Sequence, residues 1–63
     1  MKTPTPLQIR TLRTQAGISQ AELARLLDVS RQTIINYENG HTNMRAIVFA
    51  YMRHALAQRS TGT

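Results

Sequence analysis

Apolar residues in this chain recur at intervals of three and four, so the chain reads as helices, with no alternating strand pattern and no internal repeat. Thr5 offers an N-cap, Pro6 suits the first helical position and Gln8 is placed to complete a capping box. These signals predict a first helix from about Pro6 to Gln15 or Ala16. Leu7, Ile9, Leu12 and Ala16 would face inward, Arg10 and Arg13 would be polar or bridging, and Gly17 would stop the helix ahead of a core residue, Ile18. Ser19 and Glu22 repeat the capping signal for a second helix that places Leu23, Ala24 and Leu27 on one face. Only Asp28 and Val29 intervene before Ser30, the N-cap of a third helix from Arg31 to Glu38, in which Ile34 and Tyr37 recur at helical spacing. So short a link forces a sharp turn. Asn39-Gly40 closes that run, His41 and Thr42 form a loop, and Asn43 is the expected cap of a last helix from Met44 to about Gln58.

The last helix is apolar on more than one side. Met44, Ile47, Val48, Tyr51 and Ala55 make one stripe that suffices to cover the other three helices. Phe49, Met52 and Leu56 make a second, displaced by about a quarter turn. So wide an apolar arc suggests a second surface, and Phe49, Met52 and Leu56 are the expected homodimer interface. The alternative is that all of these residues fill the core of a single chain.

Composition narrows the functional classes. Sixty-three residues make one small domain, 1–63, with short flexible ends at 1–4 and 60–63. Cysteine is absent and no His cluster has metal-ligand spacing, so helix packing must supply the stability, helped by dimerisation. Eight Lys and Arg against three Asp and Glu give a net charge of +5, an excess that points to a polyanionic partner. No apolar run approaches the roughly 20 residues of a membrane span and no signal-peptide core is present, so a cytoplasmic location is expected. Ser19 and Ser30 are explained as caps, His41 and His54 fall on separate elements, and no carboxylate pair has a plausible spacing. Catalysis is therefore not expected, nor is a cofactor, metal or small-molecule ligand.

The stretch from Gln20 to Gly40, QAELARLLDVSRQTIINYENG, resembles the helix-turn-helix of the phage repressor and Cro-like (lambda-repressor-like, XRE-type) family. Gln20, Glu22, Leu23, Ala24, Val29, Ser30, Thr33, Ile34, Tyr37, Glu38, Asn39 and Gly40 stand at the matching places. The chain departs at Asp28, where the family usually has Gly at a position that tends to need positive φ, and at Ile35, where a small polar residue is commoner. The resemblance covers about Leu7 to Arg45. It implies an all-α, compact four-helix domain, or one derived from a five-helix domain, with the motif at about 20–38 and a long C-terminal helix.

A recognition helix meets the major groove by its N-terminal end. The expected base-contacting residues are therefore Arg31, Gln32 and Thr33, with Asn36 one turn on. Arg matches the guanine edge and Gln or Asn the adenine edge, each pairing discriminating by about 1–3 kcal/mol. Ile35 joins them through a thymine methyl, or else packs against the last helix. The resemblance adds phosphate contacts at Gln20, where a helix start also favours an anion, and in the loop at Asn39, His41, Thr42, Asn43 and Arg45. In similar proteins the residue matching Arg13 reaches the one matching Glu38, holding the recognition helix while its spare donors face a phosphate.

These features imply a sequence-specific double-stranded DNA-binding transcription regulator. The simplest form is a Cro-like repressor that covers a near-palindromic operator as a homodimer, since no effector or activation domain is evident. Plasmid or restriction-system controllers and antitoxins fit the same size. A protein-interaction module on the same fold is the other class, and it leaves the polar face of Arg31, Gln32 and Asn36 without a purpose.

Overall fold

The computed structural model describes the backbone of residues 3–61 and the side chains of residues 3–58. It is a compact all-α arrangement of α1 (Pro6–Gln15), α2 (Gln20–Leu27), α3 (Arg31–Asn39) and α4 (Ala46–Thr61). Of the ends expected to be flexible, Met1, Lys2, Gly62 and Thr63 lie outside the described residues, and Pro4 is buried.

Local chemistry sets the helix starts. Thr5 accepts from the Gln8 N–H at 3.1 Å while the Gln8 side chain accepts from the Thr5 N–H at 2.8 Å, and Pro6 follows at the first helical position. Ser19 and Glu22 form the same reciprocal pair at the start of α2. Each pair satisfies two backbone donors that a helix start leaves without partners. Gly17 takes the left-handed conformation expected of a stop, and Ile18 turns back into the core with 5% exposure.

Asp28 is the C-cap of α2 and the one non-glycine residue with positive φ among those described, at φ 59° and ψ 46°. The turn closes through the Val29 N–H, which donates to the Ala24 carbonyl at 2.9 Å. A side chain in this region costs free energy that glycine does not pay, so Asp28→Gly is expected to stabilise the fold by about 0.5–1 kcal/mol. Thermal unfolding should show a midpoint raised by several degrees.

The core gathers Ile9 from α1, Ile18 from the first turn, Leu23 and Ala24 from α2, Ile34 from α3, Met44 from the loop, and Met52 and Leu56 from α4. α3 is the common support, packed on both α1 and α2, while α4 crosses α2.

Three expectations change here. Leu7, expected to face inward, is 70% exposed. The last helix starts at Ala46 and not at Met44: Met44 is fully buried, so the chain stays non-helical until its side chain has entered the core. The first turn closes only at the Phe49 N–H to Arg45 carbonyl bond of 3.0 Å. Asn43 is exposed and caps no helix.

The two stripes of α4 are divided differently from expectation: Met44 and Val48 of the first stay in or against the core, but Ile47 and Tyr51 leave it and the second stripe enters. Met52 and Leu56 are core residues at 0% and 3% exposure and Phe49 packs against them, whereas Ile47 and Tyr51 are 68% and 53% exposed. Phe49, Met52 and Leu56 follow i, i+3, i+7 spacing, itself a complete helical stripe, and the floor left by α1, α2 and α3 accepts it. Met52 and Leu56 are therefore unavailable as a dimer surface.

Candidate nucleic-acid interface

α3 is held from beneath and presents its other side outward. Ile34 is fully buried and fixes the roll of the helix. Ser30 is its N-cap, accepting from the Thr33 N–H at 3.2 Å, and the Ser30 and Thr33 hydroxyls lie 2.9 Å apart. Gly40 closes the other end in the left-handed conformation at φ 80°, and the His41 N–H donates to the Asn36 carbonyl at 2.9 Å.

With that roll, Arg31 and Gln32 are exposed at the leading end and Thr33, Ile35 and Asn36 are half-buried. Gln32 Nε2 donates to Asn36 Oδ1 at 3.1 Å. The bond joins two amides one turn apart, so each limits the rotamers of the other before any ligand arrives. Gln32 keeps its second N–H and its carbonyl oxygen for an external partner.

Glu38 joins α3 to its supports. It is 5% exposed, and its carboxylate accepts from Arg13 Nε at 2.6 Å, Arg13 Nη2 at 3.1 Å and Gln20 Nε2 at 3.2 Å, with Arg10 Nε 3.7 Å away. One acidic side chain thus ties α1 and the start of α2 to the end of the outward helix. Burial pushes the Glu38 carboxyl up, but hydrogen bonds from Arg13 and Gln20 and the charges of Arg13 and Arg10 outweigh it, and its pKa lies below the ordinary value.

The expected Arg13–Glu38 pair is therefore present and bidentate. It leaves Arg13 little for a phosphate: a third donor, Nη1, is bonded to the Ile18 carbonyl at 3.0 Å, and the side chain is 14% exposed. Arg10, one turn earlier on α1, stands beside the same carboxylate with 54% of its side chain exposed. Sequence reasoning gave Arg10 no role at the site. Its spacing of three from Arg13 was the available signal, since residues at i and i+3 share a helix face.

Gln20 is half-buried, and its bond to Glu38 engages one of its two amide hydrogens and leaves the other free to donate. Asn39, His41, Thr42, Asn43 and Arg45 are all exposed in and around the loop that follows α3. Phe49, Met52 and Leu56 lie in or against the core and belong to no part of this face. Among the described residues no group of His, Cys, Asp or Glu is arranged to hold a metal ion, and no helix is long and apolar enough to cross a membrane.

No curated protein matches the chain. The helix-turn-helix (HTH_3) family model matches residues 9–47, which takes in α1 from Ile9 onward, the whole of α2 and α3 and the first two residues of α4. The chain belongs to the XRE-type helix-turn-helix family, and is a sequence-specific DNA-binding transcriptional regulator.

Proposed function

We propose that the chain is a small Cro-like repressor that acts as a homodimer, covering a near-palindromic operator in double-stranded DNA and so excluding polymerase. The observation that carries this reading is the Gln32–Asn36 amide pair on the outward side of α3, beside the exposed Arg31. A bidentate contact to adenine needs one amide N–H for N7 and one carbonyl oxygen for the N6 amino group, and Gln32 has both to spare. Arg31, just before it, presents the fork that matches guanine O6 and N7. Thr33 and Ile35, both half-buried on α3, would offer methyl groups to a thymine methyl.

Phosphate contacts then fix the register. Gln20 donates its spare N–H, held in aim by Glu38, and Arg10 takes the place that Arg13 cannot fill. Asn39, His41, Thr42, Asn43 and Arg45 meet the backbone on the other flank. Two copies would set their recognition helices in half-sites about 34 Å apart.

Selection of bound duplexes from a random pool tests the reading. The expected product is a symmetric site with an adenine step in each half. Gln32→Ala should weaken binding to that site about 10- to 100-fold, with much less change on random duplex, which follows from losing a bidentate base contact. Asn36→Ala should give a smaller loss at the same base position, because it frees the reader without removing it. Absence of enrichment, with binding to random duplex that does not weaken as salt is raised, would favour a protein-interaction module.

A further inference from the structure

α4 lacks a charged side over its first two turns, although Arg53, His54 and Gln58 are exposed further on. Its core face uses Val48, Phe49, Met52, Ala55 and Leu56, yet the opposite face carries Ile47, Ala50, Tyr51 and His54, with Ile47 and Tyr51 68% and 53% exposed one turn apart. A helix that borders water on one side normally carries charged or polar residues there. Here the outward face from Ala46 to Met52 has no Lys, Arg, Asp or Glu, in a molecule of net charge +5.

We infer that this outward strip of α4 is where two copies of the chain meet. The inference rests on the homodimeric repressor reading and names its interface. Charge selects the occupant first. Two copies of a +5 protein repel one another over most approaches, and the strip between Arg45 and Arg53 is a neutral route of contact. An acidic partner gains nothing on a neutral strip, whereas a second copy brings the same uncharged apolar face. Ala50 flanks Ile47 on the side away from Tyr51 and is small, so two helices can approach closely at that level. An antiparallel crossing centred on Ala50 and Tyr51 sets Ile47 of each copy beside His54 of the other, which closes the contact about a two-fold axis.

Area selects next. The nine residues from Ala46 to His54 that the crossing uses extend about 13 Å at helical rise, and a helix is about 10 Å wide, giving a footprint of about 130 Å². A stable interface covers about 800 Å² on each partner. The strip is too small for a permanent heterologous partner. It suits a weak self-association that becomes firm when both copies hold one duplex, because the shared DNA raises their effective concentration.

Sedimentation of the protein alone between about 1 and 500 µM tests the proposal without DNA. The wild-type chain should pass from monomer to dimer within that range. Ile47→Glu should raise the dissociation constant at least 10-fold while retaining wild-type helicity and wild-type affinity for a random 12-base-pair duplex at low salt. Leu7→Glu, at an exposed apolar residue on α1, should leave association unchanged. A wild-type chain that stays monomeric, or association unaffected by Ile47→Glu, overturns the proposal. So does association abolished by Leu7→Glu alone, which would place the contact on α1. If the wild-type chain dimerises as expected but neither it nor Ile47→Glu binds the short duplex, the DNA reading fails and the interface stands.

Discussion

Glu38→Ala is expected to remove about 3–5 kcal/mol of folding free energy, because it strands the largely buried Arg13 guanidinium without its bidentate partner. At about 0.05–0.15 kcal/mol per residue, a chain of this length has roughly 3–9 kcal/mol in total. Urea unfolding followed by helical circular dichroism should therefore show a transition displaced to very low denaturant, or none. Replacing both partners, Arg13→Met with Glu38→Leu, should recover much of the loss, since exchanging a buried ion pair for apolar side chains is often close to neutral. DNA affinity should not recover with it, because Gln20 and Arg10 lose the carboxylate that aims them. A single replacement that costs less than about 1 kcal/mol would mean that packing alone holds α3.

The same carboxylate sets an acid limit. Its folded pKa is lowered, so its contribution is fully present above the ordinary carboxylate pKa of about 4.3 and is lost as pH falls through the folded value. Stability should fall below about pH 4 in the wild type, and the decline should be shallower in the doubly replaced variant.

Met52→Ala should cost about 2–5 kcal/mol, the range for truncating a fully buried Met, and should leave the sedimentation mass at a given concentration of folded protein unchanged. A loss under about 0.5 kcal/mol accompanied by a changed mass would instead place Met52 between chains. The contrast with Ile47→Glu is direct: one position belongs to the fold and the other to the outer face of the same helix.

α4 is also where the sequence was least legible. The starts of the first three helices could be read because their signals are local: Thr5 with Gln8, Ser19 with Glu22, and Ser30 each act within one turn. The candidate base-contacting residues could be read from their place just after the Ser30 cap and from the family resemblance, and Ile34 supplies the buried position that sets the roll of α3. In α4 two stripes of similar apolarity compete, and only the shape of the floor left by the other helices decides between them. Leu7 failed for a related reason, since an apolar residue in the first turn of a helix satisfies the inward pattern whether or not anything lies opposite. Glu38 was legible as a partner of Arg13 through family resemblance. Its bond to Gln20 joins residues 18 apart in sequence and no spacing rule reports it, whereas Arg10 could have been placed beside it only through its i, i+3 relation to Arg13.

The three capped starts differ in one respect. Gln8 and Glu22 reach back to their caps, but the corresponding position in α3 is Thr33, and the first turn of that helix contains no acid. A glutamate at Thr33 would complete the motif and, by the usual dipole argument, add up to about 1 kcal/mol to the fold. In the proposed DNA-bound arrangement it would also set an anion against the phosphate-lined wall of the groove. On that reading the helix forgoes a tighter beginning where tightness would spoil its grip, and selection for heat resistance alone would be drawn toward a more durable protein with a weaker hold on DNA.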